Sequence, residues 1–376
     1  MFTIKSLSHL VLLLSGVGVS YAVHVMPLYA SEMDDKHHSV NHEFNFKNED
    51  ELYKKWVYSL TWPKCDNNHL LKGQAQTSYF ELYCADKNAQ KHGPYEEWGH
   101  GGYKLLEMNF HQGKPSGEWH AFYSDGTKKS SGRYVNGKDE GVYVEWSEQQ
   151  IKITEGYFTK GLRTGVWTKW HSPTQKAEVG HFENGNKEGL WLQWHESGQL
   201  FTSAQYKAGF KDGYWQSWYA SGQIMEQGYY GGKPIIPPTT IGASGHNRSQ
   251  HWTFWYDNGN KVKEGRFHEG IEVGEWTYWH KNGQQSGSGR FHNGKRIGRW
   301  IEWFESGQQY WVKHYSNAGE LHGTETRFWL NGNKAEELNY KNGKRHGAWK
   351  QWNEEGQLIS EGLWDNNVFV NPNEQQ

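Results

Sequence analysis

Aliphatic side chains are in short supply in this chain of 376 residues. Hydrophobic residues of all kinds make up 35% of it, and Leu, Ile and Val are too sparse to fill conventional cores. Charge of one sign is missing as well, since the formal net charge is −2. A chain this close to neutral has no basic field to hold nucleic acid, and none to hold an anionic lipid surface. No metalloprotease helix, phosphate loop, dinucleotide fingerprint or nucleophile elbow occurs, so no catalytic residue, metal ligand or cofactor is assigned. Cysteine is nearly absent, with Cys65 and Cys84 the whole complement. What abounds is ring and glycine: 16% of residues are aromatic, with 22 Trp, and 45 are Gly. The surface available for burial is therefore mostly aromatic ring set between glycines.

Those two residue types recur with a period of 24. Glycine stands at Gly93, Gly117, Gly141, Gly165, Gly189 and Gly213, then at Gly274 and Gly298, and after a one-residue slip at Gly323 and Gly347. Each opens a segment reading roughly G-x-W-x-x-W, a turn, then G-x-Y/F-x-N-G-x-x-x-G. Self-similarity of this kind marks a repeat architecture, and such stacks serve as binding surfaces more often than as sites of chemistry. Aromatic enrichment, with a turn signal every ten residues or so, makes the elements strands rather than helices. Asn136-Gly137, Asn184-Gly185, Asn293-Gly294 and Asn342-Gly343 supply the tight turns, because Asn-Gly readily takes positive φ.

Spacing suggests how the rings pack. Residues two apart on a strand share a face, so the glycine of Gly180-x-Phe182 leaves bare backbone over which a neighbouring repeat's ring can lie. Stacked rings in such a ladder contribute roughly 0.5–1.5 kcal/mol per pair beyond their buried area. The two rings of W-x-x-W are three apart and should face opposite ways. Either both faces carry a ladder or a bulge re-aims one ring. The second-ring row, Trp146, Trp170, Trp194, Trp218, Trp255, Trp279, Trp303 and Trp352, is the candidate binding surface. His171, His195 and His280 follow second rings and read as a turn position copied by duplication.

The ends have their own character. Lys5, the apolar run Leu10–Val19 and the small-residue sites at Ser20-x-Ala22 and Leu28-x-Ala30 read as an export signal over residues 1–30, cleaved or retained as an anchor. The expected location is the periplasm, cell envelope or exterior. Residues 31–47 form a flexible polar leader, and 48–92 a cap with one short helix beginning near Asn48-x-x-Glu51. In an exported chain Cys65 and Cys84 are expected to form a disulfide worth about 3 kcal/mol, the alternative being two buried thiols. Repeats fill 93–366, interrupted by an inserted loop at 231–250, and 367–376 is a tail.

The strings Gly185-Asn186-Lys187-Glu188-Gly189-Leu190-Trp191, Gly294-Lys295-Arg296-Ile297-Gly298-Arg299-Trp300 and Gly343-Lys344-Arg345-His346-Gly347-Ala348-Trp349 resemble the bacterial variant of the MORN repeat, as found in YwqK-type antitoxin-like proteins. The likeness covers about residues 93–366 in eleven copies. It implies an all-β, elongated, single-layer antiparallel sheet of hairpins with an interaction role. Some copies depart from the pattern. Glu325 replaces a first Trp, Ala204 and Lys313 replace the mid-repeat glycine, and Gln150 and Thr174 replace the turn glycine, so looser stacking is expected there.

The function expected is an exported, non-enzymatic scaffold that binds another protein through its sheet. Alternatives are a carbohydrate or cell-wall module using the Trp row, and a peripheral membrane or antitoxin-like role, for which the chain lacks a basic stripe.

Overall fold

The computed structural model describes residues 42–45, 60, 62–66, 68–76, 78–231 and 247–370. The export signal, most of the leader, the helix expected near Asn48 and most of the insertion lie outside the described residues. Among the described residues there is no helix, and all 28 strands join one sheet. From Leu70–Ala75 to Val368–Val370 the strands pair antiparallel in chain order, as a meander. One pairing breaks the rule. His42–Asn45, within the stretch expected to be leader, runs parallel to Leu70–Ala75 along the first edge.

One repeat shows why the sequence folds this way. Strand Leu162–Trp170 pairs with Lys176–Glu183, Gly165 opposite Phe182 and Trp167 opposite Gly180. A tight turn at Asn184 (φ 50°) and Gly185 (φ 82°) then leads into Asn186–Trp194. The period's glycine lies inside the first strand, where Gly165 and Gly189 both take φ 67°. That is the left-handed region, costly for any residue with a Cβ. After the insertion Gln250 fills this place at φ 59°, which explains why the glycine is missing there without the strand being lost.

The mid-repeat glycine serves a different need. A Cβ at Gly156, Gly180, Gly228, Gly265 or Gly289 would overlap the indole of Trp167, Trp191, Trp252, Trp276 or Trp300, in each case the first ring of the next repeat. These indoles therefore rest directly on backbone. Trp252, Trp276 and Trp300 are 0–1% exposed. Between them stand the second-strand rings, giving an edge-to-face ladder. Centroid distances are 5.0 Å for Phe267–Trp276, 6.2 Å for Trp276–Phe291 and 4.9 Å for Phe291–Trp300. This ladder is the core of a one-layer sheet.

Both faces carry aromatic rows. Strand alternation puts the sixth-position rings on the face away from the ladder. Lys152, held by Glu155 at 3.1 Å, lies 5.6 Å from the Trp170 ring, and Glu155 points away from the ladder-facing Gly156. The bulge expected as an alternative is also present. It sits in the partner strand, where the pairing slips between Glu145 and Trp146, between Lys169 and Trp170, and so on.

Two of the departures from the pattern prove to be coupled. Where Lys313 stands for glycine, the facing first ring is Glu325, so the bare patch and its ring are lost together. Lys313 Nζ lies 3.4 Å from the Trp311 ring centre and 3.6 Å from Glu302. Burial raises the Glu325 carboxyl above its usual range, against the pull of Trp311 and Lys313. A carboxyl held high favours the folded state while protonated, and this contribution fades as pH rises through the window above 4.5. Glu325→Gln is thus expected to raise stability at neutral pH and to flatten the pH profile in that window. Chemical denaturation at a series of pH values checks this.

At the first end, Leu60, Trp62, Leu71, Phe80, Leu82 and Trp98 make a small core that Cys65 packs against. Cys65 and Cys84 form the expected disulfide, which suits an oxidising compartment. At the other end the presumed tail begins as strand. Val368–Val370 pairs with Leu358–Asp365, and Phe369 takes the place of a further first ring over Gly362. It meets Trp364 at 5.3 Å and so closes the ladder.

Candidate interaction surface

The eight tryptophans singled out from sequence, Trp146, Trp170, Trp194, Trp218, Trp255, Trp279, Trp303 and Trp352, all occur as half-buried rings at the sixth position. At two strands per repeat they recur about every 10 Å along the sheet. The backbone of seven of them is tied across repeats. Tyr123 Oη donates to the Trp146 carbonyl at 2.8 Å, and His171 and His195 donate through Nε2 to Trp194 and Trp218 at 2.9 and 3.0 Å. Tyr219, Tyr256, His280 and Trp329 do the same for Trp255, Trp279, Trp303 and Trp352.

The recurring histidines are therefore struts between repeats rather than bystanders in a turn. The shared requirement is a donor after the second ring, and because Tyr, His and Trp all meet it, residue identity alone concealed it. His195→Phe is expected to cost roughly 0.5–1.5 kcal/mol, the worth of one such bond. A thermal melt beside the parent protein measures it.

Beside the Trp row, the same face changes character along the sheet. Val142, Tyr157, Val166, Leu190, Tyr214 and Tyr229 are 37–54% exposed and run through four successive repeats, with His181 and Gln205 between them. Val142 pairs with Tyr157, and Tyr214 with Tyr229 at a ring distance of 5.1 Å. In the next three repeats the equivalent positions hold His251, Arg266, Glu275, Arg290, Arg299 and His314. The apolar stretch is thus confined to one part of the face. Unlike the tryptophans, the members of this stripe carry no motif in the sequence, since they differ in type and share only their place after a glycine.

The ladder face is closed by cations. Arg163, Lys187, Lys211, Arg248 and Arg296 lie across Trp167, Trp191, Trp215, Trp252 and Trp300 at 3.6–4.5 Å from the ring centres. Each stands two residues before an opening glycine or its replacement, Gln250. Such contacts contribute roughly 0.5–2 kcal/mol, depending on how dry they are. Most of the ladder indoles donate to backbone, Trp167, Trp191 and Trp276 to the carbonyls of Tyr157, His181 and Arg266 at 3.1–3.2 Å, whereas Trp215 donates to the Glu226 carboxylate at 3.0 Å. Among the described residues no three His, Cys, Asp or Glu side chains gather into a metal-holding set.

Comparison with known proteins adds the family. A family model described as the MORN repeat variant matches residues 187–208, 211–230, 321–342 and 345–366. Each match starts two residues before an opening glycine, at the level of the cation row. No match to a curated protein is significant. Among solved structures, one described as "Crystal Structure of TcdB2-TccC3 without hypervariable C-terminal region" is 9% identical, with a TM-score of 0.16. The similarity covers 78% of this chain but only 16% of the length of that one. The four matched segments carry the pattern of the MORN repeat variant, and the other hairpins of the sheet share their geometry.

Proposed function

We propose that the protein is an exported, non-catalytic repeat scaffold that binds a protein partner through the outer face of its sheet, over the stretch from Val142 to Tyr229. The observation that carries this reading is the exposed apolar stripe beside half-buried indoles on a sheet one layer thick. Contiguous exposed apolar side chains mark interaction sites, and Trp and Tyr are the side chains that dominate binding energy in protein interfaces. Export is supported by the Cys65–Cys84 disulfide together with the N-terminal sequence.

A photo-reactive phenylalanine analogue at Leu190, 49% exposed, tests the reading in cells that make the protein. The expected result is a saturable cross-link to one protein, competed by excess unlabelled scaffold. A cross-link no stronger than that from an exposed turn position would overturn it.

A second reading, an extended polysaccharide laid along the indole row, draws on the regular spacing of about 10 Å. Retention on insoluble cell-wall glycan, lost on changing Trp170 and Trp194 to Ser, is the outcome it requires.

A further inference from the structure

Several cations on the ladder face share a pairing pattern, and where it fails Arg296 turns to Glu302 at 3.3 Å while Arg163 and Lys211 do not find an acid. The residue two before a mid-repeat glycine faces the residue two before the next opening glycine. Glu178 holds Lys187 at 2.7 Å, and Glu226 holds Arg248 at 2.9 Å. In a later repeat the signs are exchanged, with Lys263 and Glu272 at 3.4 Å. A charge pair is thus kept even when its polarity reverses. At the same position stand Thr154 and Thr202 on the strands paired with those of Arg163 and Lys211, and Gly287 on the strand paired with that of Arg296. Among the described residues neither Arg163 nor Lys211 has a carboxylate partner.

Lys211 shows the consequence most clearly. Its ammonium lies 3.6 Å from the centre of Trp215 and 4.9 Å from that of Tyr230. The nearest acid, Glu226, is already engaged, with one oxygen on Arg248 at 2.9 Å and the other on the Trp215 indole N–H at 3.0 Å. Burial, reinforced by Arg248 and Lys187 and opposed by Glu226, lowers the Lys211 amine to about 8. Thr202 is buried and its hydroxyl donates to Gln193 at 2.8 Å, so the position carries no charge where Glu178 and Glu226 supply one elsewhere.

We propose that the ladder face binds an acidic segment of a protein, whose carboxylates supply the charge absent at Thr154 and Thr202, one against Arg163 and one against Lys211. The two cations are two repeats apart, about 19 Å at four strand spacings. An extended peptide of about six residues covers that distance. A carboxylate is the group favoured because the chain's own intact repeats use one, in the same place, for the same purpose. This surface lies on the face opposite the apolar stripe, so it adds a second binding site with its own partner chemistry.

The probe is a fluorescently labelled oligoglutamate peptide, followed by anisotropy at low salt, with oligoglutamine and a sulfated glycan in parallel. The parent protein is expected to bind oligoglutamate, with affinity falling as salt rises. Thr154→Glu with Thr202→Glu supplies the missing acids from within and should weaken binding at least tenfold without lowering the melting temperature. Thr154→Gln with Thr202→Gln adds the same bulk without charge and should retain binding more closely. Lys211→Met, which keeps the stem over Trp215, is an independent check and should also weaken binding. Competitive acylation should show the Lys211 midpoint rising when peptide is present. Equal binding by the double Glu variant, equal binding of oligoglutamine, preference for the sulfated glycan, or no binding by the parent would each overturn the proposal. Replacing Val166 and Leu190 by Ser alters only the outer face and should leave oligoglutamate binding unchanged, so the two surfaces fail separately.

Discussion

Truncating Trp276 to alanine is expected to cost about 3–5 kcal/mol, whereas truncating Trp279, three residues on, should cost far less. Trp276 is 1% exposed, packed edge-to-face between Phe267 and Phe291 and laid flat on the backbone of Gly265. Its loss opens a cavity that neighbouring strands cannot close, because the hydrogen-bonded ladder of the sheet fixes their spacing. Trp279 keeps one side toward solvent, and only Lys261, at 5.2 Å, lies across it. A repeat stack is stabilised by nearest-neighbour contacts, so the loss at Trp276 should appear as local unfolding of the flanking repeats before the whole sheet melts. Equilibrium denaturation with hydrogen exchange measures both quantities. Equal losses at the two positions would contradict the assignment of one ring to the core and the other to the surface.

The second large effect concerns Gly265. A valine there is expected to cost on the order of 3 kcal/mol, and alanine less, because even one methyl overlaps the Trp276 ring. The chain contains its own versions of this change. Over Ala204 the indole N–H of Trp215 turns to Glu226 at 3.0 Å instead of a backbone carbonyl, and opposite Leu338 that of Trp349 turns to Glu336 at 3.0 Å. In both places a carboxylate replaces the acceptor that the displaced ring gave up. Around Trp276 the corresponding positions are Gly287 and Lys263, and neither can accept that hydrogen bond. Gly287→Glu is therefore expected to restore part of the stability lost in Gly265→Ala. There is room for it, since a Cβ at Gly287 meets nothing closer than 3.6 Å. A melt of the double variant no better than the single would contradict this account of the exceptions.

Much of this architecture is legible in the residues themselves. Asn-Gly turns, ring-rich strands and the bare patch under a ladder ring all follow from local chemistry, and so does the cystine from two cysteines 19 residues apart. Other features depend on register. Lys313 and Glu325 are separate exceptions in the sequence and become one cross-strand substitution only when the hairpins are aligned. The 24-residue glycine looks like a partner of the rings, yet its requirement is a left-handed backbone, which Gln250 also accepts. The outer stripe was concealed because Val, Tyr and Leu share no motif and acquire meaning only as neighbours on one face. Phe369 was hidden differently: it lies past the last full repeat, and its task depends on Gly362 having no ring of its own above it.

The division of labour between the two faces is tested most directly by a variant with Trp170, Trp194 and Trp218 all changed to Ser, also carrying the photo-reactive group at Leu190. The account predicts a melting midpoint within about 4 °C of the parent and loss of the saturable protein cross-link. A midpoint that falls as far as that of Trp276→Ala, or a cross-link that persists undiminished, would contradict it.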